Sequence, residues 1–275
     1  MVGRRSQARW SHPTVTCATT IMAPAPIDIL HQSASCLVIN KRAGLATQAP
    51  AQFDSLERRL RAWLAEQNPE REFIYLGVPH RLDRPVSGAI VFATRRRAAF
   101  KLSRQFERRQ VKKLYWACVE GRVQPPEGTW TDHLRKVYGH PRAEVVPAEH
   151  PDAQHAVLHY RTLGQTAYGS WLEIELETGR THQIRVQASS RGHPVLGDAF
   201  YGSTVAFGEQ HANERLRAIA LHARSLSFVD PATNDPVTVE APLPSWRNGN
   251  DCGIPDWDVL IADIQHRPKV NSRQN

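Results

Sequence analysis

His80-Arg81-Leu82-Asp83-Arg84-Pro85-Val86-Ser87-Gly88 sets one carboxylate between two arginines and beside a Ser-Gly turn, immediately ahead of the apolar run Ala89-Ile90-Val91-Phe92. Turn formers followed by a short apolar run predict a strand over 88–94. An acid at a strand entry has two readings. It can cap a turn and pair with arginine at the surface, where such pairs contribute little. Alternatively, the flanking cations favour its ionised form, and a fixed, charged carboxylate suits a nucleophile or a base.

A second run decides between them. Thr178-Gly179-Arg180-Thr181-His182-Gln183-Ile184-Arg185-Val186 leads into Arg191-Gly192-His193-Pro194-Val195-Leu196-Gly197-Asp198-Ala199-Phe200-Tyr201-Gly202. Between these runs and the first lies Lys113-Leu114-Tyr115-Trp116-Ala117-Cys118-Val119-Glu120-Gly121, and after them comes Leu221-His222-Ala223. In this order the blocks resemble those of the RluA-type pseudouridine synthases, the large-ribosomal-subunit branch of that superfamily, from about Ile29 to Pro244. Five ordered blocks are far more specific than any one motif.

The resemblance implies an α+β fold, a single catalytic domain with a mixed, largely antiparallel sheet flanked by helices and an RNA-binding cleft across it. It implies that Asp83 is the essential carboxylate, as nucleophile at C1′ or base at C2′. Tyr115 would stack on the uracil, and Arg185 would pair with Asp83 and orient it. Arg81, Leu221, Arg180 and His182 are the expected substrate contacts. The reaction breaks the C1′–N1 bond of a uridine, turns the base and joins C5 to C1′. It needs no net oxidant or reductant, so neither cofactor nor metal is expected. A stacked uridine cannot reach such a pocket, so the base must flip out, most cheaply from a loop. Three positions depart from the pattern: Arg42 in place of proline, Val86 in place of threonine, and Gln187 in place of histidine. None removes a group assigned to the chemistry.

Composition agrees with a polyanionic partner. The 275-residue chain carries a formal charge of +8 and a pI near 9.6, which points to nucleic acid. Ribosomal or transfer RNA is the expected partner, bound by a monomer. The segment 95–113 holds nine Lys or Arg against one Glu, and so uniform a sign suits phosphate contacts whose strength falls with salt. Four scattered cysteines without a C-x-x-C pair encode neither a zinc ribbon nor a redox dithiol, and a reducing cytoplasm is the simplest setting. No apolar run approaches the roughly 20 residues of a membrane helix.

Residues 1–26 are expected to be a basic extension, 27–245 the catalytic domain and 246–275 a polar tail. The first 21 residues lack acids and carry Arg, Ser and Thr, as organelle transit peptides do; a dispensable arm, or a true start at Met22, is the plainer reading. No S4-type RNA-binding domain is expected before Ile29.

Pattern predicts strands over 36–40, 114–120, 157–163 and 170–177, and helices over 54–67, 95–109 and 181–190. Asp54 and Glu57 have capping-box spacing. The Pro-rich segment 124–153 reads as a loop and hairpin excursion, 226–228 with 237–239 as a closing hairpin, and 257–264 as a short helix. Two rivals compete with the enzyme. A metal-dependent hydrolase could use His155 and His159, four residues apart, but no HExxH or acidic cluster accompanies them. A non-catalytic RNA-binding module of the same fold would have no use for Asp83, Tyr115 and Arg185 together.

Overall fold

The structure, a computed structural model, describes residues 26–245 and 254–266. The expected N-terminal extension apart from Pro26, and the tail apart from residues 254–266, lie outside the described residues. Ten strands form one sheet: β1 (Ile29–Gln32), β2 (Cys36–Lys41), β3 (Ser87–Ala93), β4 (Lys112–Glu120), β5 (Glu127–Lys136), β6 (Ala143–Val146), β7 (Gln154–Gln165), β8 (Gly169–Leu176), β9 (Leu221–Val229) and β10 (Pro236–Glu240). Their spatial order is β1-β2-β3-β9-β4-β8-β7-β5-β6, with β10 on β9. Every pairing is antiparallel except that of β3 with β9. The helices are α1 (Leu56–Gln67), α2 (Arg96–Glu107), α3 (Gln183–Ser189) and α4 (Trp257–His266). This is the expected α+β architecture with a mixed, largely antiparallel sheet.

β3 is buried along its whole length, which is why it reads as an unbroken apolar run rather than an alternating one. Successive side chains of a strand point to opposite faces. Ile90 and Phe92 therefore enter the larger core with Leu56 and Leu60 of α1. Ala89, Val91 and Ala93 meet Ala98 and Leu102 of α2 on the other side. Burying a leucine such as Leu102 stabilises the fold by about 1.5–3 kcal/mol. The opposite face of α2 keeps its arginines in water: Arg96, Arg97 and Arg104 are exposed.

The single parallel contact positions the site. Ser87 and Gly88 lie beside His222 and Ala223, so the loop before β3 abuts the start of β9. Gly88 has φ +113°, and a Cβ there would sit 2.3 Å from the Ala223 carbonyl oxygen. Only glycine fits both the backbone and the space. Behind this contact, buried His222 accepts from Ser87 Oγ at Nδ1 (2.8 Å) and donates from Nε2 to the Ala241 carbonyl (3.2 Å).

Four expectations need correction. The α1 N-cap is Ser55, which accepts from the Arg58 amide, while Asp54 pairs with Arg59 instead of capping. The segment 124–153 holds the expected hairpin, β5 with β6, but it is also joined to the sheet: β5 pairs with β7 from Glu127 to Leu134, and Trp130 packs on Tyr160. α3 starts at Gln183 instead of Thr181, because His182 adopts a left-handed φ of +53°. The helix expected near Trp257 is present as α4, and it returns to the core. Trp257 is fully buried against Trp171, Phe207 and His222, so the folded unit takes in part of the segment read as tail.

Candidate active site

Asp83 is held by its neighbours on both sides. The Thr47 hydroxyl donates to the Leu82 carbonyl (2.9 Å) and accepts from the Leu82 amide (3.2 Å). The Arg84 carbonyl accepts from the Gly44 amide (2.9 Å) and from Lys41 Nζ (3.2 Å). Lys41 Nζ also donates to the carbonyls of Arg42 and Leu45. The lysine is buried, and that burial lowers its pKa to about 7, against the pull of Asp83. The segment between β2 and α1 thus clamps the backbone around Asp83. His80, at the head of the same run, is a structural group. Its Nε2 accepts from the Val91 amide (3.0 Å), and its ring stacks on Phe106 at 4.4 Å. Burial, helped by Lys113, pushes its pKa down to about 3.

The carboxylate of Asp83 meets two groups from the α3 region. Arg185 Nη1 donates to Asp83 Oδ2 at 3.3 Å, and His182 Nε2 stands 3.7 Å from the same oxygen. No ion pair links Asp83 to Arg81 or Arg84 among the described residues; the guanidinium at the acid comes from 102 positions away.

Arg185 has a second and closer acid. Its Nε and Nη2 donate to the two oxygens of Asp198 at 2.6 and 2.9 Å, a bidentate pair of the strong kind. Its guanidinium also lies 4.9 Å from the Tyr201 ring centroid. Burial opposes its charge, yet the hydrogen bonds and charge of Asp198, and then the charge of Asp83, raise its pKa. Asp198 stands in the Gly197-Asp198 block of the sequence. Its partner is fixed only by the return of that loop onto α3, so spacing alone could not assign its role.

His182 is the other residue whose geometry exceeds what the sequence signals. A left-handed non-glycine residue is uncommon and costs free energy, and such positions cluster at functional sites. Its Nδ1 lies 2.8 Å from the Tyr201 hydroxyl. That hydroxyl also accepts from the Ala143 amide (3.0 Å). With Asp83 facing Nε2, the favourable tautomer carries its proton there, and the Tyr201 hydroxyl shares its one proton between Nδ1 and the Ala143 carbonyl (3.3 Å). Burial lowers the His182 pKa, against Asp83, so the ring is neutral near pH 7. Gln183 then anchors the turn before α3: its Oε1 accepts from Thr178 Oγ1 (2.8 Å) and the Arg180 amide (3.0 Å).

Tyr115 and Leu221 come from the adjacent strands β4 and β9, and both are buried. Burial and then the charge of Asp83 push the Tyr115 phenol well above its ordinary value, so the hydroxyl keeps its proton. Asp83, Tyr115, Arg185, Arg81, Leu221, Arg180 and His182 all line one cleft of about 440 Å³. Every residue selected from the sequence is therefore in the same place. Arg180 is partly committed, since its Nε donates to the His155 carbonyl (3.0 Å). The cleft also takes in two cations from the end of the basic segment 95–113, Arg109 and Lys113. Arg109 pairs with Glu177 at 2.6 Å. Burial, then Arg109, lowers the Lys113 pKa to about 8.

The departures from the family pattern are accounted for locally. Val86 is buried apolar core, and Arg42 is exposed. Gln187 is fully buried and donates to Asp132 Oδ2 (2.7 Å) and the Trp130 carbonyl (3.1 Å), tying α3 to β5. His155 and His159 lie on β7. Four residues along a strand put them about 13 Å apart, so they do not share a metal in the way a helical pair can.

Comparison with known proteins agrees with this geometry. A sequence model described as RNA pseudouridylate synthase matches residues 35–190. The uncharacterized RNA pseudouridine synthase YhcT of Bacillus subtilis is 37% identical over 80% of this chain and 69% of its own length. Ribosomal large subunit pseudouridine synthase D of Neisseria meningitidis serogroup B is 31% identical over 89% of this chain and 66% of its own. Among solved structures, human RNA pseudouridylate synthase domain containing 4 superposes with a TM-score of 0.63 at 27% identity, over 79% of this chain and 88% of that one. With its sheet, its Asp83 cleft and these relatives in agreement, the chain belongs to the RNA pseudouridylate synthase family, of RluA type, and is an RNA isomerase.

Proposed function

We propose that the protein converts specific uridines of ribosomal or transfer RNA to pseudouridine, with Asp83 as the essential carboxylate. The observation that carries this reading is the meeting in one cleft of a fixed carboxylate, a buried phenol and an apolar wall: Asp83, Tyr115 and Leu221. A flipped uridine would set its base between Tyr115 and Leu221 and its C1′ at Asp83. The C1′–N1 bond breaks, the detached uracil turns within the cleft, and C5 bonds to C1′. The bonding pair of C1′–N1 leaves with the base, N1 ends by taking up a proton and C5 gives one up as it bonds to C1′, so the product is an isomer and no oxidant or reductant is needed.

Each side chain has a definable part. Arg185 and His182 hold the carboxylate by its Oδ2 edge. The protonated Tyr115 phenol offers a face for stacking and a hydroxyl for a proton relay. Arg81 is exposed at the rim, where it can contact RNA or fill the space left by the flipped nucleotide. Arg180 and His182 contact the substrate from the α3 side. A monomer acting in the cytoplasm is the simplest form of this proposal.

Tritium release from RNA labelled at uridine C5 tests it. C5 loses its hydrogen only when it bonds to C1′. Release by the parent enzyme and none by D83N is the expected result. Comparable release by D83N would overturn the role of Asp83. Salt-sensitive RNA binding without any release, by either protein, would favour a binding module of the same fold.

A further inference from the structure

Asp83 stands in the wall between two clefts. A second cleft, of about 630 Å³, opens on its other side and shares Arg81, Leu82, Asp83, His182 and Arg185 with the first. Its own walls come from Thr47 and Gln48, Pro141, Phe200 and the turn carrying Arg215. Phe200 is 48% exposed, although its ring makes T-shaped contacts with Tyr201 (5.2 Å) and His182 (6.5 Å) and the Arg142 guanidinium lies over it at 5.9 Å. An aromatic ring fixed by neighbours yet open to solvent is a stacking platform.

The charges of this cleft are unevenly satisfied. Arg185 is held by Asp198 and Asp83, and Arg217 pairs with Glu214 at 3.2 Å. Arg81, Arg84 and Arg215 line the cleft without an acid at ion-pair distance among the described residues. A cavity with an exposed ring and three uncommitted cations fits a group that is both flat and anionic.

We infer that the second cleft seats the nucleotide next to the target uridine, its base on Phe200 and its phosphate met by Arg81 and Arg215. This rests on the functional reading above. There the target sugar is at Asp83 and its base enters the first cleft. The RNA chain must leave that sugar through its phosphates, and the second cleft opens from the same carboxylate. The class of ligand is thus a single-stranded nucleotide, recognised by stacking and charge rather than by a base-specific pattern.

The probe is a uridine pentanucleotide with 2-aminopurine at its second or fourth position, whose fluorescence falls on stacking. Binding to the parent protein should quench one of the two probes. F200A should abolish that quenching and weaken binding about tenfold, the scale of one base–aromatic stack, and F200W should restore both. R215E, at an exposed turn, should lower the slope of log affinity against log salt by about one. Equal quenching by parent and F200A, or an unchanged salt slope in R215E, would overturn the inference. Tritium release by the parent, measured on C5-labelled RNA in parallel, separates the two failures. Release without these changes sinks only the second subsite, whereas no release sinks the function on which it rests.

Discussion

Arg185 and Arg81 both line the same cleft, yet they live in opposite environments. Arg185 is 5% exposed and makes three charged hydrogen bonds to Asp198 and Asp83. Arg81 is exposed and has no ion pair among the described residues. The floor of the site is a desolvated network in which each charge is fixed by another. The rim is a set of cations on the surrounding turns, with Arg81 exposed among them, and the outer face of α2 adds further solvated arginines beyond it. A low-dielectric floor makes geometry expensive to disturb, whereas a wet rim contributes affinity that salt can remove. The floor should therefore govern rate and folding, and the rim should govern binding.

The largest effect is expected from D198N, which leaves Arg185 with Asp83 alone. Breaking a buried pair costs about 3–5 kcal/mol, so urea unfolding should show a loss of that order. Turnover should fall at least a hundredfold, with RNA affinity within a few-fold of the parent. If RNA affinity fell with turnover, the separation of floor from rim would not hold.

α2 carries the contrast within a single helix. L102A removes a fully buried side chain and should cost about 2–5 kcal/mol with little change in the salt dependence of RNA binding. R104E with R108E on the outer face should leave the unfolding midpoint nearly unchanged, weaken RNA binding and lower the salt slope by about two. An unchanged slope would make that face an ordinary solvated surface.

H182Q probes the junction of the two regions. It removes the Nε2 donor at Asp83 and the left-handed histidine while keeping a polar side chain. A ten- to hundredfold fall in turnover, with RNA affinity retained, is expected in single-turnover assays; an unchanged rate would reduce His182 to a structural turn residue.

The smallest effect is one of pH on stability. Burial, opposed by the Ala241 hydrogen bond, lowers the His222 pKa to about 4, and burial takes His80 to about 3. Both are ordinary histidines near 6.5 when unfolded. The unfolded chain then binds protons that the folded one refuses, so stability falls as pH drops from about 6.5 toward 4. Urea midpoints at pH 7.5 and 5 should differ in that direction, and a flat profile would contradict the buried neutral state of both rings.

Much of this was legible in the sequence, and the pattern of what was not is physical. Asp83, Tyr115, Arg185 and Leu221 sit in blocks that the family resemblance marks, and they converge in the cleft. The two faces of α2 follow from Ala98, Leu102 and their arginine neighbours. Asp198, Tyr201 and Lys41 were missed as supporting residues because their partners are set by loop returns, not by local spacing. Gly88 was visible as a turn former, but its reason, the close approach of Ala223, is tertiary. β5 was hidden by a Pro- and Gly-containing entry. The Asp54 cap was lost to Ser55 one residue later, a shift within the usual uncertainty of helix ends. α4 was foreseen as a helix, but its docking was not, although Trp257, Leu260, Ile261 and Ile264 stand at i, i+3, i+4 and i+7 and all pack on the core; the signal spans only two turns, and the surface it meets is set by the tertiary fold.

The most direct test of the whole account is a paired measurement on D83N: RNA affinity and single-turnover tritium release, on the same RNA and preparation as the parent. Affinity within a few-fold of the parent with no detectable release is the predicted result, because Asp83 belongs to the floor and acts in the chemistry. Release at a comparable rate, or a loss of binding that accounts for the whole loss of release, would contradict it.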